Sequence, residues 1–180
     1  MTDKDIGDIE SQEKGTAARK NAGKPVWSFM PLQQIAMLMK QLEQNPNYAG
    51  EVDLPELTNQ LGWFQARGEF KDAFRVLEYS YRYFMHVAGL NFDEASQAVI
   101  RVWEMGEKKY AKFNWMKGMP WSEIINSYQR HVMKMYNGHQ VDEDSGEHHA
   151  AHLICNAMML VHYVEHYPEG NDLPTDWFTT

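Results

Sequence analysis

The stretch "SGEHHAAHLICNAMMLVHYVEHYP", residues 145–168, decides the reading of the fold. Ser145 is a residue type that caps helix starts, and Pro168 is one that ends helices. The mostly apolar run between them predicts a helix from Ser145 to about Tyr167 that buries itself in a core. Its entrance is crowded with polar chemistry all the same. Asp142, Glu143 and Asp144 precede it, and His148, His149 and His152 lie in its first turns. On a helix, His149, His152 and Asn156 stand at i, i+3 and i+7 and share one face.

Upstream, "NGHQVDEDSG" (137–146) is a turn-forming loop, and "EIINSYQRHVMKMYN" (123–137) has helical spacing, with Ser122 placed to cap it and Gly138 to close it. The two helices form an antiparallel hairpin. His131 shares a face with Ile124, Ser127 and Met135 and so points inward, whereas Arg130 points elsewhere. Three more helices are marked by their ends: 54–67 behind Asp53, 69–88 stopped by Gly89, and 92–110 behind Asn91 with Glu94 three residues on. A first helix opens at Pro31, carries Leu32, Ile35, Met39 and Leu42 as its apolar stripe, and breaks at Asn45–Asn47. There is no strand alternation and no internal repeat. The expectation is an all-α fold, a compact bundle of about six helices forming a single domain over 25–180, with residues 1–24 as a disordered arm. That arm is polar, of mixed charge and free of aromatic residues.

Composition narrows the function. A chain of 180 residues with 43% hydrophobic content suits one domain with a real core. A net charge of -8 argues against binding a nucleic-acid polymer, although a nucleotide held with a divalent cation remains open. The single cysteine, Cys155, sits among apolar neighbours and excludes a disulfide framework. The charged start lacks a signal-peptide pattern and no apolar run is long enough to span a bilayer, so a cytoplasmic protein without a membrane partner is expected.

Two imidazoles one helical turn apart can reach one cation, and Asp142 or Asp144 can add oxygen ligands. The bland alternative for these acids is to complement the helix dipole. Glu104 and Glu107, at i, i+3, suit a hard divalent ion or else an exposed face balanced by Lys108 and Lys109. Between these groups, "KKYAKFNWMKGMPW" (108–121) interleaves lysines with Tyr110, Phe113, Trp115 and Trp121. Such a segment can stack a base or sugar while ammonium groups hold phosphates, or it can be an anchored loop with solvated lysines.

In order, Gly106, Lys109 and Tyr110, then Asn114, Trp115 and Gly118, then Arg130 and His131, then Asp142, Ser145, Gly146, His149, His152 and Asn156 form a pattern. This pattern, with the earlier "GKPVWSFMP", resembles the phage family named for the dATP/dGTP diphosphohydrolase N-terminal domain. Residues 45–98 have no counterpart in that pattern and read as a helical insertion. The resemblance implies phage nucleotide metabolism in the host cytoplasm, with hydrolysis of a purine dNTP to the monophosphate and pyrophosphate. It leaves open a non-catalytic accessory or nucleotide-binding module, because the family's longer members carry a second segment. An HD-type dNTP triphosphohydrolase is a weaker alternative, since the adjacent His-Asp pair is absent. A homo-oligomer is also left open.

For an enzyme of this kind the residues take the following roles. Asp142, His149 and His152 bind a divalent metal, Mg or Mn, or a transition metal given the imidazoles. Glu107 is a second-centre ligand or the base, and His131 orients the water or protonates the leaving group. Lys109 and Arg130 contact phosphates, Tyr110 and Trp115 flank the base or sugar, and Asn114 and Asn156 read the base edge or support the ligands.

Overall fold

A computed structural model describes residues 6–7, 9–15, 18, 23–46 and 52–174. Half of the expected N-terminal arm, 12 of its 24 residues, lies outside those residues. Six helices follow in order: α1 Leu32–Gln44, α2 Leu54–Arg67, α3 Phe70–Ala88, α4 Phe92–Lys109, α5 Trp121–Tyr136 and α6 His149–His166. Short 3-10 turns lie at Trp27–Phe29, Asn114–Lys117 and Pro168–Gly170. The described residues contain no strand, and no helix among them is long and apolar enough to cross a membrane.

The centre is α6, which packs against α3, α4 and α5. Twelve of its eighteen residues are buried, from His149 to Tyr163. A helix apolar on nearly every face can be stable only where other helices surround it. Hydroxyl pairs tie the neighbouring helices to one another: Tyr128 meets Ser80 at 2.7 Å and Tyr81 meets Ser96 at 3.1 Å. Burial pushes both phenols far above their ordinary titration range.

Local signals explain several helix ends. Asp53 Oδ1 accepts from the Glu56 N–H at 2.8 Å, and Asn91 and Glu94 form a reciprocal capping box. Two expected caps differ. α5 begins at Trp121, and Ser122 bonds instead to Asp172, fifty positions along the chain, through its N–H (2.9 Å) and hydroxyl (2.5 Å). α6 begins at His149, not beside Ser145, and its cap is His148, whose Nδ1 accepts from the Ala150 N–H at 3.0 Å. In both cases a carboxylate competes successfully for the serine hydroxyl, because a charged acceptor makes the stronger bond.

The stripe of α1 is also rotated. Ile35 and Leu38 are buried beside Gln34, whose Nε2 donates to the Met158 carbonyl of α6, while Leu32 is 57% and Met39 49% exposed. With apolar residues at 35–39 and 42, periodicity alone could not choose the face.

After α6 the chain folds back over the aromatic loop. The Tyr167 ring sits against Gly118, where an added Cβ would lie 2.6 Å from it, and Gly118 has φ 90, in the left-handed region. Gly118→Ala therefore combines backbone strain with a clash. It should cost roughly 1–3 kcal/mol, seen as a thermal midpoint lowered by about 3–10 °C.

Candidate functional site

The hairpin of α5 and α6 sets the site. On α5, Ser127 and His131 are one turn apart and face inward; the first two turns of α6 present His149, His152 and Asn156. The connecting loop is held by backbone bonds from Asp142 N–H to the Glu147 carbonyl (2.9 Å), Gly146 N–H to the Asp142 carbonyl (2.8 Å) and His149 N–H to the Gln140 carbonyl (2.9 Å). These bonds carry Asp142 back over the start of α6.

His131 is the hub. Its Nδ1 lies 2.8 Å from His149 Nδ1, and its ring stacks on His152 at 4.5 Å between centroids, with planes 13° apart. Asp142 Oδ2 accepts from both the N–H (2.9 Å) and the hydroxyl (2.8 Å) of Ser145, and Ser145 Oγ lies 2.7 Å from His152 Nε2. Because the hydroxyl hydrogen goes to Asp142, His152 Nε2 is the donor to Ser145, which leaves Nδ1 as its lone-pair nitrogen. Potential ligand atoms of His131, Asp142 and His149 all lie within 4.8 Å of one another.

Burial lowers the titration of His131, His149 and His152. His131 is pushed down to about 4, by burial first and then by His152 and His149. Burial alone would raise Asp142, but the two Ser145 bonds and the nearby His152 hold it below the usual carboxylate range. At neutral pH the cluster is therefore neutral imidazoles beside an ionised carboxylate, the protonation state that cation binding requires. The same shift makes a stability prediction for the metal-free protein. Above about pH 6.5 His131 is neutral in folded and unfolded chains alike, and below about 4 it is charged in both. Between those limits the unfolded chain binds the extra proton, so stability falls as the pH is lowered, by on the order of 3 kcal/mol from this residue. Thermal melts from pH 7 to 4 should show this slope, and His131→Asn should flatten it.

Beside the cluster opens a cleft of about 350 Å³. His131, His152, Asn156 and Ser127 line it on the hairpin side; Glu107 and Tyr110 come from the end of α4, and Asn114 and Trp115 from the aromatic loop. The Trp103 and Trp115 rings stack at 5.2 Å in its wall, and the Trp115 carbonyl is fixed by the Tyr163 hydroxyl at 2.5 Å. Seven residues named from sequence thus share one cleft: Glu107, Tyr110, Asn114, Trp115, His131, His152 and Asn156. Asp142 and His149 line an adjoining hollow of about 260 Å³, together with Lys134, His139 and Asp144.

Lys109 and Arg130 are brought to neither space. Lys109 is exposed in the last turn of α4, and Arg130, one residue from inward-facing His131, is turned onto the outer face of α5. Glu104 and Glu107 separate too, Glu104 lining a surface hollow with Gln97 and Arg101. His148 is taken up by capping and by its ring contact with Phe84 at 5.2 Å.

Ser127, Ser145, Trp103 and Phe29 also belong to the cluster or the cleft, with no role among the expectations drawn from sequence. Ser127 was within reach, since it lies one turn from His131. Phe29 was not, because its 3-10 turn reaches the cleft only through packing against α4.

Residues 83–173, just over half of the chain, match the family described as "dATP/dGTP diphosphohydrolase, N-terminal". The match begins within α3 and takes in the whole His/Asp cluster and the cleft residues from α4 to α6. A curated relative, the dATP/dGTP diphosphohydrolase of Salmonella phage PMBT28, is 27% identical over an alignment of 97 positions that covers 48% of this chain and 33% of the relative. The chain therefore spans about one third of the length of that relative. No solved structure matches it. The helical hairpin, its histidine and aspartate pattern and the matched span together make this chain a member of the dATP/dGTP diphosphohydrolase N-terminal family.

Proposed function

We propose that the protein hydrolyses purine deoxynucleoside triphosphates, dATP or dGTP, to the monophosphate and pyrophosphate with the help of a divalent metal. The observation that carries this reading is the adjacency of a His/His/Asp donor set and an aromatic cleft of ligand size. The relative's name supports the substrate class. Two neutral imidazoles and an ionised carboxylate suit Mn²⁺ or a later transition ion better than Mg²⁺, which prefers an all-oxygen shell.

In this reading His131, Asp142 and His149 hold the metal, with Ser145 orienting Asp142 and His152. When bound, the metal neutralises phosphate charge and lowers the pKa of water. His152, its Nε2–H tied to Ser145, accepts a proton at Nδ1, and Glu107 faces the same cleft as the competing base. Lys134 and His139 share the hollow of Asp142 and His149 and replace Lys109 and Arg130 as the phosphate contacts. The Trp103–Trp115 wall stacks the base.

The test is product analysis of dATP and dGTP incubated with the protein and Mn²⁺, Zn²⁺ or Mg²⁺. Equal yields of monophosphate and pyrophosphate are expected. Inorganic triphosphate as the product would favour an HD-type reaction, and no turnover with any metal would overturn the hydrolase reading.

A further inference from the structure

Asn156 is 6% exposed and lines the cleft, yet half of its amide is unused. Its Nδ2 donates to Ser127 Oγ at 3.1 Å, while its Oδ1 meets no donor among the described residues. Nor is Oδ1 sealed off, because the enclosed unpartnered side-chain atoms among those residues are Gln34 Oε1 and Trp103 Nε1. A buried amide normally satisfies both ends, so an accessible, unpaired acceptor in a ligand-sized cleft is an open valence for a ligand. Ser127 also lines the cleft and accepts the Asn156 N–H, which leaves its own O–H without an acceptor among the described residues.

We infer that Asn156 Oδ1 reads an amino group on the edge of the nucleobase, and that Ser127 is the positioning residue that holds the amide with its oxygen toward the base. The inference rests on the proposed nucleotide substrate. Three observations narrow the ligand atom. An amide oxygen repels phosphate oxygens, so the triphosphate is not its partner. The stacked Trp103 and Trp115 line the same cleft, which places a planar ring within reach of the acceptor. The cationic and metal-binding groups suited to the phosphates lie in the adjoining hollow. Adenine and guanine both offer an exocyclic amine; purine without one does not. A site built around a hydrogen bond rejects the analogue lacking that group, because its own polar atom is then buried unpaired.

The test measures binding to the full chain, by tryptophan quenching and calorimetry, of non-hydrolysable α,β-methylene dATP and of the same analogue carrying unsubstituted purine. The wild type should prefer the amino-bearing base by about 30-fold. Asn156→Leu should erase that preference while leaving the affinity for the purine analogue within about threefold. Ser127→Ala, which frees the amide to turn, should reduce the preference, and Ser127→Thr should retain it. Equal loss of both analogues in Asn156→Leu and Ser127→Ala, an unchanged preference in either, or no preference in the wild type would overturn the inference. Selective binding without hydrolysis would sink the hydrolase reading alone, and hydrolysis without selectivity would sink this one alone.

Discussion

His149→Ala should lower kcat/KM for dATP hydrolysis by on the order of 10³-fold, about 4 kcal/mol, and should abolish stoichiometric metal binding. In the proposed donor set His149 is one of three groups, and its Nδ1 faces His131 Nδ1 at 2.8 Å. Its loss leaves two ligands and releases the His131 ring as well. The backbone N–H of His149, which bonds to the Gln140 carbonyl, is untouched, so the loop should keep its shape. The neighbour supplies the control. His148 caps α6 and packs on Phe84, so His148→Ala should cost about 1 kcal/mol of stability and leave metal content and turnover near wild type. Metal analysis and steady-state kinetics on the two variants read the contrast. Undiminished metal content in His149→Ala, or an equal loss in both, would remove the site.

The largest expected change in stability is at Arg82→Met. Arg82 is 2% exposed, and its guanidinium donates to the carbonyls of Asn45 (2.8 Å) and Gln41 (3.3 Å) and to Glu78 Oε1 (3.1 and 3.2 Å). One side chain on α3 thus serves the last carbonyls of α1 and a largely buried carboxylate. Methionine fills similar space but leaves Glu78 as an uncompensated charge and removes the Arg82 donor from both carbonyls, of which Gln41 keeps the Asn45 N–H at 3.2 Å. Breaking such a pair costs roughly 3–5 kcal/mol, which for a chain of this size lowers the thermal midpoint by about 10 °C. Removing the stranded charge as well, in Glu78→Leu/Arg82→Met, should recover much of the loss, because the largest penalty lies in the unpaired carboxylate. A double variant no better than the single one would show that the carbonyl contacts dominate.

Features with short-range causes were legible in the sequence. Asp53 and the Asn91–Glu94 box cap as expected, since each needs only a side chain and a backbone N–H three residues away. Ser122 and Ser145 look like the same signal, but each hydroxyl found a carboxylate: Asp172 through the fold-back of the chain, Asp142 through the turn of the loop. The common face of His149, His152 and Asn156 followed from helical spacing. Membership of the donor set did not. His131 Nδ1 comes within ligand distance only because α5 and α6 pack closely, while His152 Nε2 is engaged by Ser145 and sits 3.5 Å from Asp142.

By itself, the order of residues determined that this chain is helical, that its most apolar helix lies at the centre, and that its polar chemistry gathers where that helix begins. These are consequences of periodicity and composition, which act over a few residues. Tertiary packing decided which imidazoles face one another, which lysines and arginines turn away, and that Asn156 lines the cleft with its amide N–H given to Ser127. Those outcomes depend on the rotation of one helix against another, where a single residue step of about 100° carries a side chain from a buried wall to solvent, as it does between His131 and Arg130.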